Sequence, residues 1–387
     1  MTGAGDHAPR SALVLQGGGA RGAYQVGALK AIAEIARGRN SPFQIVCGAS
    51  VGAINAAPIA AASSDFRHGV ERLERLWRSL RSGSIYDARA HILLMTGARW
   101  FWTMMKGHFG INAPCSLFDN TPLRRLLERE FDPRDVGAAI RAGTLHALCI
   151  TASSYEEGKA VTFFEGCAGI EPWARARRRG ERAAIGAKHL MASSALPFVF
   201  SPERLENGYY GDGSLRLTAP LAPAIHSGAE RVLVIAARDS RSKPAPGAEP
   251  GKVPTIGEMA GHALDILFND TLDADHERLT RVNETLSLLT PEALAKTPLK
   301  VIETLMLSPS RDLRDIAQDH AREMPVVVRH LLRSVGSWGS DGRLLSYLLF
   351  EPGYVGALID LGYGDTMDKA DDIRAFLGDA ALGQTAS

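Results

Sequence analysis

Apolar residues along this chain recur in two rhythms, and the rhythm changes after the first 240 residues. The run Ala12-Leu-Val-Leu-Gln16 is short, almost wholly apolar and followed by glycine. It predicts a strand buried on both faces of a parallel sheet. Over residues 23–37, Val26, Leu29, Ala33 and Ala36 recur at helical spacing, and residues 38–42 break the pattern. Residues 43–47 repeat the strand pattern, and from Val51 a second helix is expected, kinked at Pro58. This β-α-β-α order points to an α/β fold with a parallel sheet. Residues 65–80 predict a surface helix with Leu73, Leu76 and Leu80 inward, and Asn120-Thr-Pro122 opens another. Residues 145–152 and 160–165 read as adjacent strands, 185–196 as a helix stopped at Pro197, and 231–236 as one more buried strand.

Beyond that strand the pattern turns helical. Residues 240–254, rich in Pro, Gly and charge, have the character of a linker. Leu264, Phe268, Leu272, Leu279, Val282, Leu286 and Leu289 then share one stripe of a long helix, and shorter helices follow to residue 377. The expected organisation is a flexible N-terminus over 1–10, an α/β domain over 11–240, a linker over 241–254, a helical region over 255–377 and a flexible tail over 378–387.

Composition narrows the class. Hydrophobic residues make up 45% and charged residues 22%, the balance of a globular protein with a core large enough to hold a rigid site. A net charge of +1 provides no global field, so a nucleic-acid partner is not expected. Cys47, Cys115, Cys149 and Cys167 have no metal-like spacing and suit a reducing compartment. The opening residues are polar and show no secretion signal. The longest apolar stretch, 45–62, is mostly Ala, Gly and Ser and contains Asn55 and Pro58, so no membrane-spanning helix is expected. The expectation is a cytoplasmic protein, with peripheral membrane contact left open.

Two glycine-rich turns carry the candidate chemistry. Gly48-Ala-Ser50-Val-Gly52 fits G-x-S-x-G between a strand and a helix, the context that a nucleophile elbow needs. The glycines two residues either side clear space for a tightly bent backbone, which pushes the Ser50 hydroxyl out above a helix N-terminus. One βαβ unit earlier lies Gly17-Gly-Gly-Ala-Arg-Gly22, where Gly17, Gly18, Gly19 and Gly22 leave backbone N–H groups bare to hold an oxyanion. Arg21 either adds positive charge to that loop or pairs with a structural carboxylate. Gly17, Gly19 and Gly22 also satisfy G-x-G-x-x-G, but the second strand ends Val46-Cys47-Gly48 without the acid that a dinucleotide ribose requires. For a base to serve Ser50, His226 sits in what reads as an ordinary helix end. Asp212, in Tyr210-Gly-Asp-Gly-Ser214, is the stronger candidate.

Together these motifs resemble the patatin-like phospholipase family. Gly17 to Gly22 looks like its oxyanion loop, Gly48 to Gly52 its nucleophile motif, Met191-Ala-Ser-Ser-Ala-Leu-Pro197 its small-residue block, and Asp212-Gly213 its aspartate motif, all in the family order. Ser214 and Thr218 depart from the residues usual there. The resemblance implies a three-layer α/β/α sandwich with a mainly parallel central sheet. It also implies a Ser50–Asp212 dyad without histidine, metal or cofactor, and hydrolysis of phospholipids or other acyl-ester lipids through an acyl-enzyme. An acyltransferase or thioesterase with the same dyad, and a non-catalytic lipid-binding protein, remain as alternatives. Two further segments bear on lipid. Residues 88–118 are acid-free, basic and aromatic, and suit a bilayer interface, a flap over an acyl channel or a buried helix pair. Arg175, Arg177, Arg178, Arg179 and Arg182 suit a solvated helix face or loop, or contact with anionic headgroups.

Overall fold

A computed structural model describes residues 9–87, 116–238, 253, 255–338 and 342–378. Among them runs a ten-stranded mixed sheet. Its strands are β1 (Ser11–Leu15), β2 (Ile45–Ala49), β3 (Ala147–Ser154), β4 (Ala160–Gly166), β5 (Trp173–Ala174), β6 (Arg178–Arg182), β7 (Glu203–Leu205), β8 (Gly208–Gly211), β9 (Arg231–Ile235) and β10 (Glu303–Leu307). The order is β10-β9-β1-β2-β3-β4-β6-β5, with β8 branching from β3 and pairing with β7. From β10 to β3 every pair is parallel; β4 then runs antiparallel to β3.

Side-chain alternation explains why the parallel strands read as unbroken apolar runs. Leu13 and Leu15 enter one hydrophobic core, while Ala12 and Val14 enter another on the opposite face. Helices cover both faces, so the middle positions of β1 are apolar on either side. The helices that position the site are α1 (Ala23–Ala36), α2 (Val51–Ala61), α3 (Phe66–Ser79), α4 (Thr121–Glu130), α5 (Ala187–Ser193), α6 (Ile256–Asp265), α7 (Thr271–Ser287), α8 (Arg343–Leu348) and α9 (Pro352–Met367). Asp65 caps α3 by accepting from the His68 N–H, and Leu73 and Leu80 are buried as the pattern predicts.

Three features differ from the sequence expectation. The basic run is loop only in part: Arg175 and Arg177 are exposed in the connection from β5, but Arg178–Arg182 is strand β6, paired with β4. Arg179 is held by Glu157 and Glu181, and Arg182 donates to the backbone carbonyls of Gly166, Cys167 and Ile170. The long helix after residue 254 is interrupted, since a π-helical turn, Ile266–Asp270, joins α6 to α7. The C-terminal region is mostly helical, as expected, but it also supplies a strand the pattern did not predict, for β10 extends the central sheet, with Leu305 opposite Leu233.

The same region packs closely on α1 through α9. A side chain at Gly27 would place its Cβ 1.9 Å from the Ile359 carbonyl oxygen, and one at Gly362 would lie 2.1 Å from that of Tyr24. No described helix is long and apolar enough to cross a membrane. Of the acid-free segment only residues 116–118 are described, and the expected linker over 241–254, apart from residue 253, lies outside the described residues.

Candidate active site

Ser50 sits between β2 and α2 at φ 55°, ψ −130°, a conformation that L-residues rarely adopt. Such a residue costs on the order of 1–3 kcal/mol and persists only where its surroundings impose it. The surroundings are specific. A Cβ on Gly48 would lie 2.3 Å from the Gly52 carbonyl oxygen, and one on Gly52 would lie 2.1 Å from that of Leu15. Both elbow glycines are therefore required sterically, and the elbow closes directly on the end of β1, where the glycine loop begins.

The small-residue block fixes the elbow from the other side. The Ser50 N–H donates to Ser193 Oγ at 2.9 Å, and that hydroxyl donates to the Thr151 carbonyl at 2.6 Å. Ser194 Oγ donates to the Ser50 carbonyl at 3.3 Å. At the next residue, the Ala195 carbonyl accepts the Asp212 N–H at 2.8 Å. One short segment thus ties the serine to the aspartate.

Asp212 is fully buried. The Ser214 N–H donates to its Oδ1 at 2.9 Å, while Oδ2 has no hydrogen-bond partner among the described residues. Burial pushes its carboxyl up to about 6; the Ser50 hydroxyl, then the N–H and hydroxyl of Ser214, oppose that rise. Ser50 is thus near enough to favour the charged carboxylate, though no formed hydrogen bond joins the two. Such bonds commonly tighten only once substrate is bound. Ser214, a departure from the usual motif, supports the aspartate directly, whereas Thr218 is exposed.

The glycine loop borders the same place. Gly19 adopts φ 56° and lines a cavity shared with Ser50 and Asp212. Gly17 packs near Ser214 and the Phe268 ring, and Gly22 near the Val51 side chain. No described residue accepts a hydrogen bond from the N–H of Gly17, Gly18 or Gly19. Arg21 follows the second of its two readings: it pairs with Asp265, and its own N–H donates to the Gly18 carbonyl at 3.2 Å. Its guanidinium is thus turned to a carboxylate of the C-terminal region in this structure.

Sequence reasoning missed a buried amide network that carries the loop. Gln16 accepts from the Ala237 N–H at 2.8 Å and donates to the Phe268 carbonyl. Gln25 donates to the Gln16 carbonyl at 2.7 Å, Asn55 donates to Gln25 at 2.9 Å, and Trp77 donates to Asn55 at 2.8 Å. A signal was present, for Gln25 and Asn55 are lone amides in stretches otherwise rich in Ala, Val and Ile.

The cavity holds about 1110 Å³ of free space, its mouth included. Ser50, Asp212, Gly19 and Ser194 form a polar patch in a mainly apolar wall, to which α3 and α4 give Leu73, Leu76, Trp77, Leu126 and Leu127 along with the charged Arg72 and Glu130. Phe268, Tyr347 and Phe350 of the C-terminal region complete it. Histidine is absent from the described lining, and His226 lies stacked on Trp173 at 4.2 Å between ring centroids. Among the described residues no cluster of three or more His, Cys, Asp or Glu has the geometry to hold a metal ion.

No curated protein matches the chain by sequence. Solved structures similar to it include VipD from Legionella pneumophila, 12% identical over 94% of this chain and 67% of that one, with a TM-score of 0.36. The type III effector ExoU is 13% identical over 95% and 53%, with a TM-score of 0.38. Human GIVD cytosolic phospholipase A2 is 11% identical over 97% and 60%, with a TM-score of 0.44. The chain spans between about half and two thirds of the length of these structures. The family model described as patatin-like phospholipase matches residues 13–225, a span that takes in the glycine loop, the elbow, the small-residue block and the aspartate. Over more than half its length, then, this is a patatin fold with its motifs in order, and the chain belongs to the patatin-like phospholipase family.

Proposed function

We propose that the protein is a lipid acyl hydrolase acting on phospholipids or related acyl esters through a Ser50–Asp212 dyad. The observation that carries this reading is a buried carboxyl, raised to about 6, beside a strained serine at the polar end of an apolar cavity. An ordinary aspartate is too weak a base for a serine proton, and burial moves this one toward the working range. The acyl chain lies along the apolar wall, which brings the ester carbonyl to Ser50.

Asp212 accepts the hydroxyl proton as Ser50 Oγ bonds to the carbonyl carbon. The oxygen, now negative, is held by the N–H groups of Gly18 and Gly19. Collapse breaks the ester C–O bond, and the departing alcohol takes the proton from Asp212. Water, deprotonated by the same carboxylate, then attacks the acyl-enzyme, and the acyl–Oγ bond breaks as Asp212 returns the proton to Ser50, releasing the fatty acid. The test is a panel of phospholipids and lysophospholipids with products identified by mass. Ser50→Ala and Asp212→Asn are each expected to lower fatty-acid release by on the order of a thousandfold or more. Undiminished release from either variant rules the dyad out.

A further inference from the structure

An oxyanion loop must be rigid to act, because its donors work only when aimed before charge develops. A run of glycines is poorly suited to that, having no side chains to pack and the greatest backbone freedom to lose. Arg21 is the one long side chain in the loop, and it is buried. Its guanidinium donates to Ser346 Oγ through Nε at 3.0 Å and Nη2 at 2.7 Å, and through Nη1 to Tyr347 OH at 3.1 Å and Asp265 at 3.5 Å. It also lies 3.9 Å from the centroid of the Tyr347 ring. The far side is itself braced: Tyr347 OH donates to Asp265 at 2.9 Å, and Arg343 pairs with the same carboxylate at 2.8 Å. Backbone packing adds a stop, since a Cβ on Gly19 would lie 2.4 Å from the Tyr347 carbonyl oxygen.

All of these partners come from α6 and α8, which belong to the region after residue 254. From this geometry we infer that Arg21 is a positioning residue: it latches the oxyanion loop to the C-terminal region, so that catalysis depends on a segment contributing no nucleophile or base. The inference rests on the dyad proposed above. It predicts a loss in turnover rather than in substrate binding, because the acyl wall stays in place while the N–H groups lose their aim.

The test compares kcat, KM and the thermal midpoint of Arg21→Gln, Arg21→Lys, Ser346→Ala and Tyr347→Phe, all in the full chain, on a soluble acyl ester. Arg21→Gln is expected to lower kcat roughly tenfold or more, with KM changed by less than about threefold, and Arg21→Lys to recover part of the loss. Ser346→Ala and Tyr347→Phe, which leave the loop sequence intact, each lower kcat by about three- to tenfold. Arg21→Gln combined with Ser346→Ala is little slower than Arg21→Gln alone, as expected for two ends of one latch. Should Arg21→Gln not fold, the two far-side variants decide the matter. The latch is overturned if those variants keep kcat within about twofold of the parent, or if every loss follows the folded fraction. Ser50→Ala, assayed alongside, separates the two claims. Persisting hydrolysis there defeats the dyad, whereas a dead Ser50→Ala beside a fully active Tyr347→Phe and Ser346→Ala defeats only the latch.

Discussion

Burial of the Asp212 carboxyl makes it a better base and at the same time costs the fold. Its folded value, about 6, lies above that of an exposed aspartate, so between those two values the folded protein binds more protons than the unfolded one. Stability from this group is therefore greatest at acid pH, and falls as pH rises through about 6 by about 3 kcal/mol in all. Asp212→Asn, neutral at every pH, is expected to raise stability by about 1–3 kcal/mol at pH 8 and to bring little gain at pH 4, by denaturant melts at both. In the proposed dyad the same ionisation sets the rate: kcat/KM should fall tenfold per unit as pH drops below about 6, measured on an uncharged ester.

At the scale of elements, the site is two turns braced by a third segment. Ser193 bridges the Ser50 N–H to the Thr151 carbonyl, so Ser193→Ala leaves a buried donor without its acceptor. The expected cost is about 1–3 kcal/mol of stability, together with a lower kcat as the elbow relaxes, checked by thermal melting and initial rates. The elbow was legible in the sequence because its sterics admit only glycine at positions 48 and 52, and the requirement leaves a local pattern. The role of Ser193 and Ser194 was not, since their bonds to Ser50 cross more than 140 residues and small polar residues near a helix end look alike. Gln25 and Asn55 were overlooked for a related reason. A lone amide on a helix is usually solvated, and only the tertiary fold buries these two against the glycine loop. Strand β6 was hidden by composition, because arginines favour no strand pattern and its pairing partner β4 supplies the order.

At the scale of the whole molecule, the chain after residue 254 was expected to be a helical region beyond a linker. The structure joins it to the rest at the sheet, through β10, at α1, through α9, and at the cavity, through Phe268, Tyr347 and Phe350. Strand β10 escaped the sequence analysis because residues 301–307 are a short mixed run among helical stretches, and only their partner β9 makes them a strand. A fragment ending at residue 254 exposes the α1 face and an open sheet edge, and is expected to be insoluble or unfolded by circular dichroism and sedimentation. In the proposed reading these elements together hold one hydroxyl beside one carboxylate. That claim is tested most directly by treating the full chain with a fluorophosphonate and locating the adduct by peptide mass. The adduct is expected on Ser50, forming far more slowly in Asp212→Asn; an adduct on another residue, or an unchanged rate in Asp212→Asn, contradicts the account.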